Sequence, residues 1–312
     1  MSGLAAVAME TPGRAVLGRF LRHRLAVASA VVLGLLVALA LLAPVIEQLL
    51  GIDAEVVDLF ARYGPPSATH PLGTDELGRD VLVRLLYGGQ VSLFVGLTAT
   101  IAAAIIGTAV GLVSGYAGGR FDAFVMRVTD GVIALPILPL LIVLAAVDLG
   151  KLGFSDSVLS SENVSLYRIV AIVALVGWTT VARLVRASTL SLKTRPFVLA
   201  ARAQGASATR IMLRHILPNL ASPIIVATTL SVGNVILLES VLSFLGLGIQ
   251  PPLPSWGNLL TGAQETIWEA PGLAFYPGML IFVTVIAFNF VGDGLQDALD
   301  PRARDRRAAD RH

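Results

Sequence analysis

The stretch KTRPFVLAARAQGASATRIMLRHILP, Lys193–Pro218, separates two strongly apolar segments and is itself neither apolar nor a random linker. Pro196 suits the first position of a short helix, where its missing N–H costs nothing, and Thr194 stands nearby as a cap. That helix is expected to run to Gln204 and stop at Gly205, a residue fitted to the left-handed position past a helix end. Ser207 is placed to cap a second short helix running toward His215, with Pro218 ending it. The predicted unit is therefore helix, Gly turn, helix. It carries Lys193, Arg195, Arg202, Arg210 and Arg214 and no acid. On its first helix Phe197, Ala200, Ala201 and Gln204 fall at i, i+3, i+4 and i+7, a small-residue face with one large anchor. Two readings stay open at this level. Such a face fits a groove on another protein, or the hairpin is simply a cytoplasmic loop rich in bases.

Composition fixes the class around it. Of 312 residues, 55% are hydrophobic and only 14% charged, against about a quarter charged in soluble domains. This is the composition of a membrane protein. Cysteine is absent, which removes disulfides, thiolate metal sites and thiol nucleophiles.

Working outward from the hairpin, six apolar spans are predicted. The first, 25–46, follows a polar N-terminal segment 1–24 that holds Arg14, Arg19, Arg22 and Arg24. It is long enough to cross about 30 Å of hydrocarbon. A signal peptide would have a shorter apolar core, so an uncleaved span is favoured. A hydrophilic segment, 47–90, follows, and its Val81–Tyr87 portion reads as an interfacial helix. A five-span core, 91–294, then contains spans near 91–114, 124–147, 168–187, 224–247 and 274–291. Gly107, Gly111 and Gly115 recur at four-residue spacing in the second span, which permits close helix approach in lipid. Pro136 and Pro139 are expected to kink the third. Arg183 and Arg186 are expected to snorkel from the fourth. A polar tail, 295–312, carries Arg302, Arg304, Arg306, Arg307 and Arg311.

With the N-terminus inside, six spans return the C-terminus to the same side, and 18 of the 23 bases fall on inside segments. That asymmetry has the direction expected of a cytoplasmic membrane protein and places 193–218 in the cytoplasm.

Chemistry of its own is not legible in the chain. It has no Gly-x-x-x-x-Gly-Lys-Ser/Thr phosphate loop and no His-Glu-x-x-His metal spacing, and no nucleophile–base set. An enzyme is not expected, nor a nucleic-acid partner. Three acids fall in or beside spans: Asp130, Asp293 and Glu239. A structural pair with Arg127, or hydration near the interface, accounts for the first two. Glu239 lies deeper and is a candidate functional acid.

The motifs then carry a family resemblance. HPLGTDELGRDVLVRLLYGGQVSL (His70–Leu93), LSFLGLGIQPPLPSWGNLL (Leu242–Leu260) and GDGLQDALDPRAR (Gly292–Arg304) occur in order around the opening stretch. That stretch is similar to an EAA loop, with Ala200-Ala201, Gly205-Ala206 and Leu217-Pro218 at matching spacing. Together they resemble the permease subunits of bacterial ABC importers, in the dipeptide/oligopeptide/nickel branch and of its C type, over roughly residues 14–304. The resemblance implies an all-α polytopic fold of six transmembrane helices, that of type I ABC importer permeases. It also implies a heterodimer with a B-type permease subunit, two ABC ATPase subunits docked on the EAA loops, and an extracytoplasmic substrate-binding protein. ATP and Mg would sit on the ATPases, and no cofactor on this chain. The coupling loop so implied comprises Arg195, Pro196, Phe197, Leu199, Ala200, Ala201, Arg202, Gly205, Ala206, His215, Leu217 and Pro218. Leu199 departs from the pattern, standing where the family has a Glu expected to touch the ATPase. A di- or oligopeptide is the implied solute, with nickel as the alternative. A secondary carrier or channel is the alternative of another class.

Overall fold

In the computed structural model, residues 12–153, 155, 161 and 163–300 are described, and the secondary structure among them is helical apart from one isolated bridge, Thr74 to Asp80. The basic tail, Arg302 onward, lies outside the described residues. The helices are α1 (Pro12–Phe20), α2 (Arg24–Leu41), α3 (Ala43–Leu50), α4 (Val81–Ala117), α5 (Gly119–Ala134), α6 (Ile137–Ala145), α7 (Val164–Leu192) and α8 (Pro196–Ala203). There follow a single turn α9 (Ala208–Arg210), α10 (Leu217–Phe244), the short α11 (Ala263–Thr266) and α12 (Gly272–Leu299). Five helical stretches are long and apolar enough to cross a membrane, and the bent pair α5–α6 makes a sixth if counted as one span.

Each departure from the expected spans has a local cause. The first span stops at Leu41 rather than 46, because Pro44 begins a separate helix, α3. The expected interfacial helix at Val81–Tyr87 does not exist as such. It is the first two turns of the 37-residue α4, with Val81, Val83, Arg84 and Leu85 all buried. Asp80 starts that helix by accepting a hydrogen bond from the Val83 N–H at 2.8 Å, and His70 Nδ1 lies 3.1 Å from its other oxygen. Arg84, which looked interfacial, is turned inward with its Nε 3.3 Å from Asp75. The third span bends by 90° between α5 and α6. Pro136 forces the preceding Leu135 into an extended conformation and ends α5 there, while Pro139 fits inside α6. The last span is longer than expected and continues past 294 to Leu299.

Packing centres on α4 and α7, which run side by side for most of their length, with α10 laid against α4 and α12, and α2 against α12. The glycines of α4 explain the first contact. A Cβ at Gly107 would stand 2.5 Å from the Trp178 carbonyl oxygen, at Gly111 2.4 Å from that of Ala182, and at Gly115 2.9 Å from that of Arg186. Only hydrogen fits at these points, so the two backbones meet directly. Gly294, in the closing motif, does the same for α12 and α2, since a Cβ there would meet that of Ala26 at 2.3 Å. Large apolar side chains such as Val31 and Leu35 on α2, Ile105 on α4, and Phe275 and Phe282 on α12 face outward. A bilayer solvates such surface as water does not.

The α4–α7 contact yields a first expectation. Gly111→Ala introduces a methyl against backbone that cannot retreat and should destabilise the chain by about 1–3 kcal/mol. Gly131→Ala, on α5 with nothing within 4 Å, should not. Thermal unfolding of the two variants in detergent separates them.

Candidate functional site: the basic hairpin and the buried Glu239 network

The hairpin is built onto the end of the α4–α7 pair. Lys193 reaches back to donate to the Gly115 carbonyl at 2.8 Å, so the chain leaves α7 tied to α4. Thr194 does not cap the next helix. Its hydroxyl donates to the Ser191 carbonyl, and Arg195 holds the cap position without a side-chain bond. Pro196 opens α8 as expected. The helix ends at Gln204, where the Gly205 N–H reaches the Arg202 carbonyl and the Ala206 N–H the Ala201 carbonyl, both at 3.0 Å. That pair of bonds needs a left-handed residue, and Gly205 supplies it at φ +79.

The inner face of α8 is formed by Val198 and Ala201, both buried, and Val198 packs with Leu112 of α4, Val181 and Val185 of α7, and Ile211, Ile216 and Leu220 beyond the turn. Ala201 therefore does not belong to the outward face on which the spacing placed it. Phe197, Leu199, Ala200 and Gln204 do face outward, with Arg195, Arg202, Arg210 and Arg214 around them. Arg202 stacks on Tyr116, its guanidinium 5.7 Å from the ring centre.

Ser207 caps the return as expected, accepting from the Arg210 N–H at 3.4 Å. The second helix then differs from expectation: Pro218 does not end it. After one α turn the chain passes through a π-helical segment, Ile211–Ile216, and continues as α10. The wider winding places Pro218 at the start of α10, where a missing N–H is tolerated. His215 sits in the π segment, and its carbonyl accepts from the Asn219 amide at 2.7 Å. The hairpin is thus joined to α10 without a loop.

Two ion pairs brace the same end of the bundle. Arg186 forms a two-pronged pair with Asp122 at 2.5 and 2.6 Å, and Arg183 pairs with Asp130. Both arginines bind α5 rather than extending freely to the interface, and Arg183 takes the place expected of Arg127. Asp293 is exposed.

Toward the opposite end of α10, Glu239 is fully buried. Its carboxyl accepts from the hydroxyls of Ser243 at 2.7 Å, Ser255 at 2.9 Å and Ser92 at 3.4 Å. Ser92 in turn accepts from the Trp256 N–H at 3.1 Å, and the buried Trp256 ring donates to the Leu85 carbonyl at 3.0 Å. The segment 245–262, which includes the PSWGN motif, is fastened by these bonds between α4 and α10. Glu239 therefore binds chain to chain. Its three serines were not singled out in the sequence, although Ser243 stands one turn from Glu239 and Ser255 lies inside a quoted motif.

An all-helical bundle with five or six apolar spans among the described residues and a basic hairpin at one end defines a polytopic membrane protein. Residues 107–305 match the family described as binding-protein-dependent transport system inner membrane component, and residues 11–66 match the N-terminal TM domain of oligopeptide transport permease C. The chain is 37% identical over 286 residues to the oligopeptide transport system permease protein OppC of Bacillus subtilis, covering 92% of this chain and 88% of that protein. It is 39% identical to the glutathione transport system permease protein GsiD of Pectobacterium atrosepticum, over 95% of this chain and 93% of the other. To the dipeptide transport system permease protein DppC of Alkalihalophilus pseudofirmus it is 36% identical, over 94% and 91%. The chain belongs to the family of binding-protein-dependent transport system inner membrane components.

The Glu239 network predicts a graded response. Glu239→Ala strands three buried hydroxyls and should cost about 2 kcal/mol or more, read as a lowered unfolding temperature. Glu239→Gln keeps the acceptor for Ser243 and Ser255 and should lose less than half as much.

Proposed function

We propose that this chain is one of two permease subunits of an ATP-driven importer of di- and oligopeptides in the bacterial cytoplasmic membrane. Its partners are a homologous B-type permease subunit, two cytoplasmic ATPase subunits and an extracytoplasmic binding protein. Both termini and the hairpin 193–218 lie in the cytoplasm, a placement supported by the distribution of bases. ATP and Mg are bound and used on the ATPases.

The observation that carries this reading is the hairpin itself. It is short, capped, anchored on α4 and α7, and continuous with α10, and it presents Phe197, Leu199 and Ala200 outward within a basic surround. A groove on an ATPase that accepts those apolar side chains can push on α10 without an intervening flexible joint. The peptide assignment is supported by the names of the relatives, which include oligopeptide, dipeptide and glutathione permeases.

Replacing residues 196–215 with a Gly/Ser linker should abolish co-purification of the chain with its ATPase, and retained binding would overturn the docking role. Leu199→Glu, which restores the family's residue at this half-exposed position, should keep ATP-dependent transport, and its loss would show that this loop has its own fit. Uptake of labelled dipeptides against nickel, in cells lacking this chain, tests the solute: loss of nickel uptake with intact peptide uptake would reverse the assignment.

A further inference from the structure

A cleft of about 390 Å3 opens between α4, α6, α7 and α10, with mostly apolar walls that include Ile137 and Leu141 of α6 and with Thr180, Ser231 and Asn234 as polar groups among them. Those polar groups are unusual for their depth. Asn234 stands ten residues, about 15 Å along the helix, from the end of α10 at Phe244, and Thr180 lies near the middle of α7. Both are exposed. Thr100 also borders the cleft but is only 2% exposed, and its hydroxyl is shielded, without a hydrogen-bond partner among the described residues. Ser231 donates to the Ala227 carbonyl of its own helix at 2.8 Å, which leaves its oxygen free to accept.

Amide and hydroxyl groups at this depth are costly if they meet only hydrocarbon. An acyl chain in the cleft would offer the exposed Asn234 and Thr180 side chains no partner. One turn beyond Thr180, the pair Arg183–Asp130 is also about half exposed on each side, so charge as well as amide faces outward beside the cleft. This side of the molecule is therefore not the lipid side. No charged residue lines the cleft itself, which removes the means to hold a bare cation or to select a charged side chain. What it offers is a few neutral donors and acceptors, Asn234, Thr180 and Ser231, among apolar side chains.

We propose that this cleft is the part of the solute path formed by this subunit, and that Asn234, Thr180 and Ser231 hydrogen-bond the main-chain amides of a passing peptide. The apolar wall of Ile137 and Leu141 accepts side chains without discriminating among polar ones. The identity of the ligand rests on the peptide reading above, whereas the location of the path rests on the cleft alone.

Because the chain has no cysteine, single-cysteine variants test the path directly. In the assembled transporter, Asn234→Cys and Thr180→Cys should react with a water-soluble, membrane-impermeant thiosulfonate, and saturating dipeptide should slow that reaction. Phe282→Cys, on the outward apolar face of α12, should stay unreactive. Inert Asn234→Cys and Thr180→Cys in every nucleotide state, as lipid or a packed partner helix would produce, would overturn the path. Asn234→Leu should lower peptide uptake roughly three- to tenfold, the effect of one lost hydrogen bond, with ATPase co-purification unchanged. Asn234→Gln should restore most of the uptake lost in Asn234→Leu. Full uptake by Asn234→Leu would overturn the ligand contact. A wild-type transporter that moves no peptide would overturn the ligand while cysteine reactivity still decided the path.

Discussion

The glycines of α4 at 107, 111 and 115 put that helix's backbone against the carbonyls of Trp178, Ala182 and Arg186 on α7. In a bilayer, apolar side chains gain little by leaving lipid for protein, so helices associate through close packing. A strip with no Cβ lets two whole backbones pack, and the pair becomes a single stiff unit. Other elements are referenced to it. Lys193 is fixed to the Gly115 carbonyl at its end, α8 buries Val198 on Leu112, Val181 and Val185 from both helices, and Asp122 and Asp130 hold α5 to α7 through Arg186 and Arg183.

How far this was legible depends on the range of the interaction that decided each element. The glycine strip, the Gly205 turn and the break at Pro136 follow from backbone sterics within a few residues, and the sequence shows them directly. Pro218 misled because its effect depends on the winding of the preceding turn. An α-helix would stop there, whereas the π segment at Ile211–Ile216 shifts the register and lets the chain continue. The segment Val81–Tyr87 has amphipathic spacing, but Asp75, nine residues before Arg84, supplies an internal counter-charge that spacing does not reveal. Likewise Asp130 found Arg183, 53 residues away, in preference to Arg127 nearby. On a helix three residues apart, Arg127 and Asp130 were within reach. The bracing of α5 on α7 decided the pairing instead.

Glu239 shows the same limit in a polar setting. Its depth in an apolar helix marked it as a functional acid, because an isolated buried carboxyl is costly. Ser243 and Ser255 supply close hydroxyl donors and Ser92 a longer third, which offsets that cost and converts the residue into a fastening point for the 245–262 segment. The candidates that sequence reading passed over are the neutral ones, Thr180, Ser231 and Asn234. Hydroxyl and amide side chains are common in helices, and only the cleft shows that these three line the same space.

The long helix that begins at the hairpin links these features. From Ala208 to Phe244 it passes through the π segment, then Ser231 and Asn234 at the cleft, then Glu239. A π segment inside a helix is rare and is found most often at functional sites. Under the proposed function, a push on Phe197 and Leu199 would be resisted by α4 and α7, which the glycine strip makes rigid, and passed through the unbroken Ile211–Ile216 segment into α10. At the far end, Glu239 and Trp256 hold α10 to α4 and to the 245–262 segment. With one end driven and the other clamped, the movement that remains open to α10 is a tilt about the Glu239 network. That tilt would change the width of the cleft in which Asn234 sits, which is where a solute path must open and close.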